Sequence, residues 1–364
     1  MTDGKKEYFC RKENDMEFSD AIISWYLVNK RDLPWRDTND PYRIWISEII
    51  LQQTKVAQGL SYYNRFIEKF PNATDLASAS EDEVLKEWQG LGYYSRARNL
   101  HSAAKSISEI HDGKFPTSYE SIRLLKGVGD YTAAAICSFA YNQPYAVVDG
   151  NVYRVLSRVF EISTPIDSTN GKKEFAKLAQ ELINPRKAAL HNQAIMDLGA
   201  MVCTPDSPLC EECPVSEICL VHTHNTESSY PVKGKKSRQR DRYFYYFFIQ
   251  NEGKTYLHRR EGDDIWKGLY EFPLIEGDKE LTEVETMNIS TNNSLPEFRN
   301  IRITKTHPTI LHILSHQRIH AHFIEATAEY KSENASTYKE INISNIQEYA
   351  ISRLTESFLT KKLR

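Results

Sequence analysis

Leu124-Leu125-Lys126-Gly127-Val128-Gly129-Asp130-Tyr131-Thr132-Ala133-Ala134-Ala135-Ile136 reads as one helix, a tight Gly-x-Gly turn and a second helix. Glycine reaches backbone angles closed to other residues and lets a partner approach the main chain. The amide N–H groups at the start of the second helix then form an anion site that suits a phosphate without Lys or Arg. Around this helix-hairpin-helix, from Met16 to Cys219, helix-like segments recur between breakers. These include Asn39-Asp40-Pro41, Phe70-Pro71-Asn72, Gly90-Leu91-Gly92 and Gly113 to Pro116, while strand-like alternation is scarce. This half is expected to be all-α.

The chain has 364 residues, long for one domain and natural for two. No apolar run reaches the ~18–20 residues of a membrane span. Residues 1–15 lack the apolar core of a signal peptide and read as a mobile tail of a cytoplasmic protein. A net charge of −3 argues against a globally basic nucleic-acid binder, so any DNA contact must use local charge. The helical domain is expected over 16–221. A basic linker follows at 222–241, with Lys233, Lys235, Lys236, Arg238 and Arg240. Such a run is either solvated or in touch with phosphates. Residues 242–364 change character. Tyr243 to Ile249, an Asn251-Glu252-Gly253 turn and Thr255 to His258 predict a β-hairpin. Further strands are expected at Leu269 to Ile275 and His320 to Ala326. A final helix is expected over Asn345 to Leu363, giving an α+β domain.

Four of the six cysteines crowd one stretch as Cys203-x6-Cys210-x2-Cys213-x5-Cys219, while Cys10 and Cys137 stand apart. Without a secretory signal, clustered thiols point to metal rather than disulfides. Zinc suits four cysteines, usually as two close pairs; an iron–sulfur cluster needs four as well. A second segment is Trp45-Ile46-Ser47-Glu48-Ile49-Ile50-Leu51-Gln52-Gln53-Thr54. On a helix, Glu48 has Ile44, Trp45, Leu51 and Gln52 as neighbours. A carboxyl so placed should be partly desolvated and hold a proton near neutral pH. A third is Val148-Asp149-Gly150-Asn151-Val152, some twenty residues beyond the hairpin.

Together these motifs resemble the endonuclease III and MutY family of DNA repair enzymes. Leu33-Pro34-Trp35-Arg36, Gly90 to Arg98 and Asp197-Leu198-Gly199-Ala200 extend the resemblance to MutY-type adenine glycosylases over nearly the whole chain. The resemblance implies an all-α helix-hairpin-helix glycosylase domain with a 4Fe-4S loop at 203–219, held by Cys203, Cys210, Cys213 and Cys219. It implies a C-terminal α+β Nudix-like domain, with Gly268-Leu269-Tyr270-Glu271-Phe272-Pro273 as its remnant. Residues 274–290 hold no Arg-Glu-x-x-Glu-Glu run, so no Nudix hydrolysis is expected.

The roles implied are these. A flipped adenine would sit against Trp35 and Arg36. Glu48 would protonate it, and Asp149 would stabilise the sugar cation, supported by Tyr131 and Asn151. Tyr131 stands where lyase-competent relatives carry a lysine, which implies monofunctional base removal. Gln53, Thr54, Leu91 and Tyr93 would enter the duplex, Gly127 and Gly129 would meet its backbone, and Ser315 with His316 would read 8-oxoguanine. Family members commonly have Phe before that Ser-His pair; this chain has Leu314. Ser315 can accept or donate, which suits a purine N7 that oxidation turns from acceptor to donor. The implied partner is double-stranded DNA with A:8-oxoG or A:G mispairs, bound by a monomer at the bacterial nucleoid, with no membrane. Two rival readings are a lyase acting on oxidised pyrimidines, opposed by Tyr131, and a non-catalytic DNA-binding module, opposed by Glu48 with Asp149. The nearby histidines read as surface or DNA-facing groups.

Overall fold

The computed structural model describes residues 12–234, 239–282, 285, 295–331 and 337–362. Cys10, most of the expected tail and linker residues Lys235, Lys236 and Arg238 lie outside them. Backbone contacts divide the chain into two compact units, Met1–Asp75 with Ala103–Lys235, and Leu76–Ser102 with Lys236–Arg364.

The helices in chain order are α1 (Lys12–Asn29), α2 (Pro41–Leu51), α3 (Val56–Lys69), α4 (Ala73–Ser78), α5 (Glu81–Glu87), α6 (Ser95–Ile110), α7 (Tyr119–Arg123), α8 (Asp130–Tyr141), α9 (Gly150–Val159), α10 (Thr169–Leu182), α11 (Ala188–Met201) and α12 (Leu220–His224). Local chemistry sets their starts. Asp40 accepts from the Tyr42 amide at 2.9 Å and Pro41 opens α2, a position that needs no donor. Ser80 and Glu83 close a capping box on α5. In the first unit, Phe18, Ile22 and Tyr26 of α1 pack with Val155 and Leu156 of α9, Phe175 of α10 and Leu198 of α11. Helix α1 starts at Lys12, so residues 12–15, expected in the tail, are helical. The first half of the expected linker is also built into this unit. The Ile166 amide donates to the Val232 carbonyl at 3.0 Å and the Gly234 amide to Asp167 at 2.8 Å. Pairing with a distant loop, not composition, decided that stretch.

In the second unit, the strands are β1 (Arg240–Ile249), β2 (Lys254–Arg259), β3 (Tyr270–Glu271), β4 (Leu274–Gly277), β5 (Phe298–Thr306), β6 (Ile310–Ile313), β7 (Gln317–Tyr330) and β8 (Lys339–Asn342). One sheet runs β4-β1-β7-β5 with β6 on β7, the other β3-β2-β8. The expected hairpin is not one. A turn does close at the Asn251–Lys254 bridge, but β1 pairs parallel with β7 and antiparallel with β4, whereas β2 pairs with β3 and β8. Both faces of β1 are apolar (Phe244, Tyr246 and Phe248 on one, Tyr245, Phe247 and Ile249 on the other) and each enters a different core cluster. A strand buried on both faces belongs in the middle of a sheet. The expected final helix is two pieces, a 3-10 stretch at Ile343–Glu348 and α13 (Arg353–Lys362). Between them Ile351 bridges Tyr270, and Ser352 restarts the helix by accepting from the Thr355 amide at 3.1 Å.

The segment 76–102 joins the sheet unit although its sequence reads as part of the helical half. Glu81 pairs with Arg259 at 2.8 Å, the Tyr270 hydroxyl donates to Asp82 at 3.0 Å, and Gln89 donates to Glu356 at 3.1 Å.

Candidate active site

The first unit encloses a cavity of about 970 Å³ lined by Trp35, Arg36, Glu48, Gln53, Thr54, Tyr131, Asp149 and Asn151, in the range of small-molecule sites. Four segments distant in sequence meet there: the loop before α2 with α2 and its following turn, the starts of α8 and α9, and α11 through Gln193, Met196 and Ala200.

Helix α2 is buried from Ile44 to Ile50, and Glu48 on it is 7% exposed. Burial pushes its carboxyl up to about 7; the Tyr131 hydroxyl, which bonds to it, and Arg36 pull the other way, while the Asp149 charge adds to the rise. Burial and the Glu48 charge push the Tyr131 phenol well above its usual range, so it stays a neutral donor. Asp149 caps α9. Its Oδ1 accepts from the Val152 amide at 2.8 Å and its Oδ2 from Asn151 Nδ2 at 2.9 Å. Burial raises the Asp149 carboxyl too, opposed by these bonds. Both carboxyls are therefore raised, where the sequence pointed to one.

Three further groups hold this arrangement; Arg154 was not singled out from sequence, whereas Asp197 and Gly199 stood in a quoted motif without a role. Arg154 donates from Nη2 to Asn151 Oδ1 at 2.9 Å and from Nε to the Cys203 carbonyl at 2.6 Å. Asn151 and Arg154 lie one helical turn apart, and that spacing was the available signal. Asp197, fully buried, accepts from Arg31 Nε at 2.8 Å and from Arg36 Nη2 at 2.6 Å. Burial works against its charge, but the guanidiniums outweigh it and hold the carboxyl below its ordinary value. A Cβ on Gly199 would lie 2.6 Å from that of Asn151, so glycine here lets α11 pass against α9. Together these account for the Asp197 to Ala200 motif. Trp35 is buried edge-on against Tyr63 with ring centroids 5.1 Å apart. Gln53 is exposed at φ +55°, and the Thr54 hydroxyl donates to the Gln52 carbonyl at 3.3 Å.

The two hairpin glycines differ. Gly127 has φ +81°, a left-handed conformation that strains any side chain. Gly129 caps α8 in extended backbone, and a Cβ there would meet nothing within 4 Å. The protein itself therefore does not demand glycine at 129.

In the second unit the Tyr93 and Ser315 hydroxyls are 2.5 Å apart. Tyr93 is 47% exposed at φ +48°, whereas Leu91 is 8% exposed. Leu91 was expected at the surface and instead packs inside, since the turn at Gly90 and Gly92 directs it inward. Ser315 and His316 form the exposed tip between β6 and β7. Leu314 packs partly onto the sheet core. Most neighbouring histidines are not free surface groups. His307 pairs with Glu325 at 2.7 Å, His320 with Asp241 at 2.8 Å, and His322 stacks on Tyr245 with centroids 4.7 Å apart.

Cys203, Cys210, Cys213 and Cys219 line one cavity of the first unit and none forms a disulfide. Burial pushes Cys213 up to about 12 and raises Cys210 and Cys219. The donor set, four cysteine sulfurs on one cavity, fits a group held by four thiolates. His222 and Glu227 also reach Cys210, the ligand atoms of the three lying within 4.8 Å of one another.

Two family models match the chain: HhH-GPD superfamily base excision DNA repair protein over residues 46–185, and NUDIX domain over residues 245–361. The adenine DNA glycosylase of Buchnera aphidicola subsp. Schizaphis graminum (strain Sg) is 35% identical over 310 residues, covering 83% of this chain and 85% of the relative. The chain belongs to the adenine DNA glycosylase family. The adenine DNA glycosylase of Mus musculus is 47% identical over 214 residues, 56% of this chain, and the match spans only 42% of that relative's length. Among solved structures, a thermostable thymine-DNA glycosylase aligns with TM-score 0.54 at 31% identity, covering 58% of this chain and 98% of that one. The adenine DNA glycosylase family thus carries the expected fold class, a helix-hairpin-helix unit followed by a Nudix-like mixed sheet.

Proposed function

We propose that the protein is a monofunctional base-excision glycosylase that removes adenine paired with 8-oxoguanine or guanine in duplex DNA. The observation that carries this reading is the Glu48, Tyr131 and Asp149 arrangement on one cavity. Glu48, with a carboxyl near 7, keeps a proton at neutral pH and gives it to N7 of a flipped adenine, which makes the base a leaving group. Departure leaves positive charge on the sugar. Asp149, held by Asn151 and the Val152 amide, stabilises that cation, as one carboxyl of a glycosidase pair does. Water then completes hydrolysis and leaves an abasic site. Tyr131 has no amine to form a Schiff base, so the strand stays intact.

Trp35 and Arg36 form the adenine side of the cavity, with Gln53 and Thr54 at its rim. The open space beside the Gly129 backbone suits a phosphate on the α8 amides, reached through the Gly127 turn. Tyr93 and Ser315, neighbours through their hydroxyls, support a shared lesion reader with His316, Ser315 accepting from or donating to the altered N7 edge. Cys203, Cys210, Cys213 and Cys219 would hold one 4Fe-4S cluster. When bound, it supplies four iron–thiolate bonds that tie residues 203–219 together. A monomer acting in the cytoplasm on nucleoid DNA completes the reading; among the described residues no helix is long and apolar enough to cross a membrane.

Duplexes with adenine opposite 8-oxoguanine, guanine or thymine, incubated with the protein and split by alkali, test this reading. Adenine release is expected opposite the first two. No release opposite 8-oxoguanine overturns the function, and strand breaks before alkali overturn the monofunctional assignment.

A further inference from the structure

Arg158, near the end of α9, is 2% exposed. Its Nε donates to the Glu227 and Tyr230 carbonyls, both at 3.1 Å. Nη1 donates to the Thr204 carbonyl at 2.7 Å, and Nη2 to the Pro205 carbonyl at 3.0 Å. These bonds join the segment leaving Cys203 to the segment that follows Cys219. One contact remains: Nη1 lies 3.5 Å from Cys203 Sγ. Every oxygen that accepts from it is a neutral carbonyl; the Glu227 carboxylate on the same cavity feels the Arg158 charge but, among the described residues, accepts no hydrogen bond from it. A buried cation with no anion in direct contact is costly and rarely kept.

A site for a larger negative charge lies beside it. Arg158 lines the same cavity as the four cysteines, and the Cys219 thiol is 3.7 Å from the Arg158 carbonyl. Four thiolates around a 4Fe-4S core of charge 2+ leave a net charge of about −2. We propose that Arg158 is the buried counter-cation of this site and the hydrogen-bond donor to its Cys203 sulfur, a positioning residue for the cluster. The inference rests on the cofactor reading above. An N–H···S bond and a nearby positive charge both favour the more negative state of an iron–sulfur group, so they raise its reduction potential. The carbonyl bonds meanwhile hold both ends of the 203–219 loop.

The test uses the purified full chain and its Arg158→Gln and Arg158→Lys variants. Iron content, decay of the visible absorbance near 400 nm under a chelator, and cluster midpoint potential are measured for each. Arg158→Gln should bleach about tenfold faster than the parent and have a lower potential. Arg158→Lys, which keeps the charge but loses the planar fork, should fall between them, and it carries the test if Arg158→Gln does not fold. Variants that hold iron with the parent's potential overturn the counter-cation role even if they bleach faster, since loop fastening alone explains that. A colourless parent overturns the cofactor reading and this inference with it.

Discussion

The raised Glu48 carboxyl links folding to pH. Its value moves from 4.5 to about 7 on burial, so the native state holds that proton more tightly than the unfolded chain does. The stability it contributes is complete below about 4.5 and is lost as pH rises through about 7. A shift of that size is worth up to about 3 kcal/mol. Glu48→Gln removes the dependence while keeping the shape. Its Tm should exceed the parent's by several degrees at pH 8 and come close to it near pH 5; a constant difference across that range contradicts the assignment. Excision should respond in the same direction. Above pH 7 the rate should drop about tenfold per unit as the acid is lost, and Glu48→Gln should be inactive at every pH. At the other reader, Ser315→Ala should reduce excision opposite 8-oxoguanine by about tenfold and opposite guanine far less. Equal losses in paired single-turnover rates count against a reading role.

At the scale of elements, the hairpin glycines separate fold from binding. Gly127→Ala forces a side chain into φ +81° and should cost about 1–2 kcal/mol of stability, measured by denaturant unfolding. Gly129→Ala meets open space, so its stability should match the parent's while its affinity for duplex DNA falls. Unfolding Gly129→Ala as easily as Gly127→Ala refutes that division. The α1–α11 contact carries a separate pH effect. Burial lowers His191 to about 4, and Ser19 Oγ meets its Nδ1 at 2.8 Å. A depressed histidine contributes stability that is complete above about 6.5 and lost as pH falls towards 4. The Tm advantage of the parent over His191→Gln should therefore shrink over that window. These elements were partly legible. The Asn39-Asp40-Pro41 breaker marks the start of α2 from local chemistry, while the caps at Ser80 and Asp149 came from the structure; β5, β6 and β8 escaped because their residues are mostly exposed.

Over the whole molecule, on the proposed function, the net charge of −3 leaves DNA affinity to backbone amides and local groups. The Nudix-like unit has its own internal constraint. Glu271, on the segment that resembles a Nudix remnant, is buried and bound by Arg260 at 2.8 Å and the Tyr246 hydroxyl at 3.1 Å. Its carboxylate is occupied by protein donors and is not free for a metal and a diphosphate. Incubation with nucleoside diphosphates and magnesium should release no phosphate above buffer; turnover there would show that the sheet retains hydrolase chemistry.

What the sequence determined by itself was whatever depends on short spacing. The four-cysteine loop, Glu48 among apolar helix neighbours, the Gly-x-Gly turn and the Val148 to Val152 motif each span fewer than twenty residues, and covalent geometry fixes such relations before folding. Tertiary structure decided the rest. It tied the local Asp149, Asn151 and Arg154 chain to Cys203, and it set Asp197 under Arg36. It buried Leu91 while leaving Tyr93 exposed, sent β1 and β2 into different sheets, and raised the Asp149 carboxyl beside that of Glu48. These outcomes come from segments far apart in the chain; a local pattern such as that around Glu48 carries only part of them.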